Sequence, residues 1–200
     1  MPSTAADERP RIRREATREA LIEATAQIML EEGYAAATSR RVASKAGVKP
    51  ALVHYYFPSM DELFVAVLRH KAEDNLAQQR QAIAEAKPLH ALWRLHSAND
   101  AQLFTEFLAM ANHRKAIRSE LAAFATRFRD LEEGVVTLAL KARGVDLEVF
   151  PPVVMSMIVG GLARIVFHEQ GLGITRGHDE ATAFIQRWLD RFEMPSWERA

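Results

Sequence analysis

Lys49, His54 and Tyr55 fall in one short stretch whose other members, Pro50, Ala51, Leu52 and Val53, are small or compact. An ammonium, an imidazole and a phenol can hydrogen-bond to the edges of bases, and compact neighbours let a helix come close enough to do so. Just upstream, Thr38, Arg40, Arg41 and Lys45 offer a hydroxyl and cations of the kind that hold phosphate oxygens. Tyr55, Tyr56 and Phe57 are consecutive aromatics and cannot share one face of a helix. Phe57 and Val53 are therefore predicted to pack inside, which leaves Tyr55 outward and Tyr56 near the backbone of a bound duplex, its hydroxyl placed to bond a phosphate.

Positioning such groups takes short helices and a sharp turn, and the chain has the means. Ala, Leu, Glu, Arg and Gln fill the stretches between sparse, clustered Gly and Pro, a helical composition in which no strand is read. The spacing of Leu21, Ala24, Thr25 and Ile28 predicts a helix over 15–32, stopped by Gly33. Thr38 or Ser39 caps a second over 40–46, which Gly47 ends. Pro50 suits the first turn of a third, running to Tyr56, and Pro58 prevents its continuation. Ser59-Met60-Asp61-Glu62 is a capping box that opens a fourth helix toward Ala86. Further helices are predicted over 89–111 (as one or two), 115–141, 152–170 and 178–192, with Gly144, Pro151-Pro152 and Gly171-Leu172-Gly173 between them; the tail after Glu193 shows no pattern.

The 200 residues carry 26 basic and 26 acidic side chains, so any affinity for a polyanion must come from a local patch. One candidate is the run Arg9, Arg11, Arg13, Arg14 and Arg18, read either as a solvated tail or as an arm that tracks phosphates or enters a minor groove. Without cysteine, disulfide frameworks, zinc ribbons and thiolate nucleophiles are excluded. His168-Glu169 lacks the second histidine of a zinc-protease helix, and Arg176 stands where a dinucleotide loop beginning at Gly171 needs its third glycine. No catalytic constellation, metal set or cofactor loop is read. The N-terminus has no apolar secretory core, and the most apolar run, 153–163, falls short of the roughly 18 residues a bilayer requires, so no membrane partner and a cytoplasmic location are expected.

Two helices joined by Gly47-Val48-Lys49 have the layout of a helix-turn-helix. Gly33-Tyr34, Thr38, Val42-Ala43, Ala46-Gly47-Val48, Val53, Tyr55-Tyr56-Phe57 and Ser59-Met60-Asp61-Glu62-Leu63 together resemble the N-terminal signature of TetR-family transcriptional regulators. Two positions depart from that pattern. Lys49 stands where the family usually offers Ser or Thr ahead of the recognition helix, exchanging a cap hydrogen bond for a cation. Met60 stands where the family usually has lysine, which removes one phosphate contact but leaves the N–H groups that start the fourth helix.

The rest of the chain resembles the family only in length and helical style. Trp93, Phe104, Phe107, Met110, Phe128 and Met157 are groups of the kind that line a pocket, and also of the kind that fill a core. Polar residues near them are His96, Asn99, Asp100, His113, Arg127, Arg164 and His168. Arg164 follows the apolar run on a helix read as interior and so needs a partner, either an acidic effector or a neighbouring carboxylate. Gly160-Gly161 permits close helix approach, and with Ala181, Phe184, Ile185, Trp188 and Phe192 it makes a face for an isologous four-helix dimer.

The expectation is an all-α chain of about nine helices: residues 1–58 as a three-helix DNA-binding domain with a basic arm, and 59–200 as a ligand-binding and dimerisation domain. The resemblance implies a ligand-responsive transcriptional regulator, a repressor released from a near-palindromic double-stranded operator by a small, largely apolar effector, and dimeric through helices 152–170 and 178–192. DNA contacts are assigned to Thr38, Arg40, Arg41, Lys45, Lys49, Pro50, Ala51, His54, Tyr55 and Tyr56. Effector contacts are assigned to Trp93, His96, Phe104, Phe107, Met110, Phe128, Met157 and Arg164. The competing readings are a helical dimeric interaction protein and an architectural DNA-binding protein without an effector.

Overall fold

The structure, a computed structural model, describes residues 5–96 and 100–193. Among the described residues the chain is all helical, with no strand: α1 (Ala5–Glu32), a 3-10 turn (Tyr34–Ala36), α2 (Ser39–Lys45), α3 (Pro50–Tyr56), α4 (Met60–Ile83), α5 (Pro88–His96), α6 (Asp100–Ala111), α7 (Lys115–Lys141), α8 (Pro152–Gly171) and α9 (His178–Glu193). The predicted 89–111 segment is two helices, and Pro88 begins the first of them. The basic run is also helical, since α1 starts well ahead of the predicted residue 15. Alanine, arginine and glutamate are strong helix formers there, and Arg11 pairs with Glu15 one turn on, at 3.8 Å.

Local chemistry sets the short helices. Thr38, in an extended conformation, caps α2 by accepting the Arg41 N–H at 3.4 Å. Gly47 ends α2 at φ +66°, a left-handed conformation that side chains resist. Lys49 is the N-cap of α3 without a side-chain hydrogen bond, and Pro50 occupies its first turn. At α4 the Ser59 hydroxyl accepts the Glu62 N–H at 3.2 Å.

The chain folds into two compact units, Met1–Ala72 with Leu103–Leu121, and Glu73–Gln102 with Ala122–Ala200, so the division falls inside α4, α6 and α7. In the first, α2 packs on α1 and α3, and the core holds Leu21, Ile28, Val42, Val53, Leu63, Phe64 and Leu68, with Phe107, Met110 and Ile117 from the α6–α7 corner. That corner is tied in by polar contacts. Glu106 accepts the Tyr34 N–H at 2.8 Å, Arg114 pairs with Asp61 and lies over the Phe64 ring at 5.3 Å, and Arg69 pairs with Glu120 at 2.7 Å.

In the second unit, α5 packs on α8 and α9 around Leu92, Trp93, Val136, Leu140, Met155, Ala163, Ile185 and Leu189. The Glu193 carboxylate caps α5 by accepting the Leu89 N–H and also pairs with His90. By length and composition α8 could cross a membrane, with a mean hydropathy of 1.3. Its inner side, however, is buried in this core through Met155, Ser156, Val159, Gly160, Ala163 and Val166.

Gly47→Ala adds no clash, since nothing lies within 4 Å of the new Cβ, so its cost isolates the φ penalty of about 1–2 kcal/mol. Gly134→Ala, in open space within α7, should instead stabilise by about 0.4–1 kcal/mol. Urea midpoints of the two variants against the parent check both signs.

Candidate nucleic-acid interface

Burying one side of α3 decides what the other side presents. Val53 and Phe57, one turn apart, are 1% and 4% exposed, and the Arg18 guanidinium lies over the Phe57 ring at 5.1 Å. Ala51, His54 and Tyr55 therefore face outward, Tyr55 at 63% exposure, with Lys49 and Pro50 exposed at the helix start. Tyr56 is half-buried and meets Tyr55 edge to face at 5.1 Å.

Next to this face runs an open groove of about 750 Å³, lined by Arg13, Arg14, Thr17, Gly47, Val48, Lys49, Leu52 and Tyr56. Arginines from α1 and the lysine at the start of α3 thus share one concave surface, a juxtaposition that the linear sequence conceals. The side chain of Arg9 lies outside the described residues.

The remaining predicted phosphate ligands divide. Thr38 spends its hydroxyl on the α2 cap, and Arg40 is exposed. Arg41 and Lys45 bind the carboxylates that end α1, Glu32 and Glu31, each at 2.6 Å. Exposed pairs of this kind are worth about 0–1 kcal/mol, so they screen the two cations without locking them.

The residues assigned to an effector fall in both units. Phe104, Phe107 and Met110 belong to the first unit, where Phe107 and Met110 are fully buried core. Trp93, His96 and Phe128 belong to the second, and the His96 and Phe128 rings meet edge to face at 5.4 Å. Met157 is 55% exposed, and Arg164, expected to need a buried partner, is exposed too. Arg127 pairs with Glu73 at 2.8 Å, and that hydrogen bond holds the Glu73 carboxyl below its usual range. Asn99 and the Asp100 side chain lie outside the described residues. Sequence reasoning missed Glu132, which is buried against His96 and Ser156. Its signal was a carboxylate in the apolar stripe Phe128, Val136 and Leu140, at four-residue intervals.

A helix capped by Thr38, a glycine turn and a short second helix with its apolar side buried define a helix-turn-helix protein. Residues 21–67 match the family model described as bacterial regulatory proteins, tetR family. The regulator BetI of Rhizobium meliloti (strain 1021) is 29% identical over 122 residues, 56% of this chain and 60% of that protein. BetI of Brucella canis is 34% identical over 73 residues, 36% and 37% of the two chains. The matches thus span less than two thirds of those relatives. Among solved structures, a TetR transcription regulator from Haloarcula marismortui ATCC 43049 superposes with a TM-score of 0.70 at 19% identity, covering 89% of this chain and 98% of that one. A Saccharomonospora viridis regulator in complex with choline gives 0.74 at 17%, covering 86% and 96%. The family model thus covers the helix-turn-helix part of the chain, residues 21–67, which is of the tetR type.

Replacing Glu31 and Glu32 by glutamine should release Lys45 and Arg41. Stability should change by less than about 1 kcal/mol per pair, while affinity for arbitrary duplex DNA at low salt rises. Titration of a random-sequence duplex by fluorescence anisotropy checks this.

Proposed function

We propose that this chain is a DNA-binding transcriptional regulator that places α3 in the major groove, acts as a homodimer, and is a repressor released by a small-molecule effector. One observation carries the reading: the outward side of α3 offers small and polar groups, Ala51, His54 and Tyr55, beside a concave surface that collects Arg13, Arg14 and Lys49. In this reading Lys49, His54 and Tyr55 read base edges, with Pro50 and Ala51 allowing close approach. Arg13, Arg14, Arg40 and Tyr56 hold phosphates, and Thr38 acts indirectly by fixing α2. The N–H groups that start α4 at Met60 give a further phosphate site in place of a lysine.

Dimerisation through α8 and α9 is supported by an apolar surface that α8 leaves uncovered, Val154, Met157, Ile158 and Ile165, with Phe184 exposed on α9. An isologous pairing would cover it and set two α3 helices on a near-palindromic operator. The effector belongs in the second unit. Because α4 and α7 contribute residues to both units, an effector that prefers one setting of those helices shifts the population of binding-competent heads; a hundredfold loss of DNA affinity requires about 2.7 kcal/mol of discrimination. Such a regulator works in the cytoplasm, alongside the DNA.

Lys49→Ala with Tyr55→Ala should cost specific affinity for the chain's own promoter fragment by about 1–3 kcal/mol per lost base contact. Arg13→Ala with Arg14→Ala should weaken all sequences alike and flatten the slope of log K against log salt by about 2. Anisotropy at several salt concentrations separates these effects, and unchanged affinity in the first variant contradicts the assignment of α3. In sedimentation at micromolar concentration the parent should be a dimer, and Ile158→Glu with Phe184→Glu a monomer.

A further inference from the structure

The segment that carries α2 and α3 is held at both of its ends by one corner of the fold. At the entry α1 stops at Gly33, with φ +81°, whose N–H donates to the Met29 carbonyl at 3.1 Å. The next N–H, that of Tyr34, donates instead to Oε2 of Glu106 on α6, at 2.8 Å. From there the 3-10 turn leads to Thr38, whose N–H donates to the Ala36 carbonyl at 2.8 Å and whose hydroxyl caps α2. At the exit, the Arg114 guanidinium pairs with Asp61 in the first turn of α4 and lies over the Phe64 ring.

The corner itself is stiff. Arg118, in the first turn of α7, donates from Nε to the Ala111 carbonyl at 2.9 Å and from Nη2 to that of Asn112 at 3.1 Å, closing the end of α6. Leu103, Phe107, Met110 and Ile117 anchor it in the core. Helices as short as α2 and α3, seven residues each, are marginal alone, so their flanks matter. Apolar burial is non-directional, whereas a hydrogen bond and a guanidinium–carboxylate pair fix distance and direction. Neither Glu106 nor Arg114 lines the groove beside α3. By its charge alone a carboxylate is unfavourable in a head that binds a polyanion, so Glu106 needs another reason to be there, and the Tyr34 N–H supplies one.

We propose that Glu106 and Arg114 are positioning residues for DNA recognition. They form a bracket that sets the entry and exit of the α2–α3 segment, and with them the angle at which α3 is presented. This rests on the reading of the chain as a sequence-specific DNA-binding regulator, and adds to it two residues that act without touching the duplex.

Replacements of Glu106 separate reach from charge. Glu106→Asp keeps the charge but draws the carboxylate back by one methylene, Glu106→Gln removes the charge but keeps an acceptor of the same reach, and Glu106→Ala removes both. The full-length variants are titrated by fluorescence anisotropy with the chain's own promoter fragment and with a random-sequence duplex. Hydrogen–deuterium exchange over residues 34–57 is read by mass spectrometry without DNA. The preference for promoter over random duplex should fall about tenfold in Glu106→Asp and Glu106→Ala, with faster exchange over that segment, while Glu106→Gln matches the parent in both. Arg114→Ala should weaken promoter binding more than random-duplex binding. A charge effect gives the reverse order, Glu106→Asp matching the parent while Glu106→Gln and Glu106→Ala bind every duplex more tightly. That result overturns the proposal, as does unchanged exchange in Glu106→Asp and Glu106→Ala, or an Arg114→Ala variant that weakens both duplexes alike. Should Glu106→Ala fail to give a helical circular dichroism spectrum, Glu106→Asp against Glu106→Gln decides. A parent without promoter preference defeats the regulator reading, and the exchange comparison still decides the bracket.

Discussion

The functional face of the head depends on the burial of two side chains one helical turn apart, Val53 and Phe57. A helix of seven residues, α3, has little backbone hydrogen bonding of its own to hold it and is marginal in isolation. Its orientation is therefore set by what it buries. With Val53 and Phe57 inside, the helical period leaves Ala51, His54 and Tyr55 outside; a rotation of α3 by one residue would turn Tyr55 inward and expose an apolar side chain in its place. Gly47, the Thr38 cap and Pro50 fix where this short helix begins. Arg18 covers Phe57 from α1, so the side that holds α3 in place also joins it to the helix carrying Arg13 and Arg14.

The head is larger than its helix-turn-helix. The α6–α7 corner belongs to the same compact unit, held by the Glu106 bond to the Tyr34 N–H and by Arg114 between Asp61 and Phe64. Helix α4 makes ion pairs with α7 in both units, Arg69 with Glu120 in the first and Glu73 with Arg127 in the second. These pairs are exposed and contribute little energy.

The fold was legible where local rules decide it. Gly47, Pro50, Pro58 and the Ser59-to-Glu62 box mark the bounds of α2, α3 and α4, and the apolar periods give α7, α8 and α9 nearly to the residue. The outward side of α3 was legible for the same reason. What could not be read was tertiary pairing. Nothing in the sequence says that Glu31 and Glu32 fold back onto Lys45 and Arg41, or that Arg13 and Arg14 share a groove with Lys49. Arg164 follows an apolar run and is therefore expected inside, yet the exposed Val154, Met157, Ile158 and Ile165 explain that run equally well as a face left for a partner. Glu132 is hard to read for the opposite reason: its burial arises only where α5, α7 and α8 converge, with His96 and Ser156 as its partners.

If the outward side of α3 reads bases and α8 with α9 pairs two copies, the protein must prefer a duplex whose symmetry matches its own. Selection of bound molecules from a randomised duplex library by the full-length protein tests that claim most directly. The account predicts enrichment of a near-palindrome whose half-sites lie about one helical turn apart, roughly 34–36 Å, or a multiple of it. Recovery of no enriched sequence, or of a single asymmetric site, would contradict it.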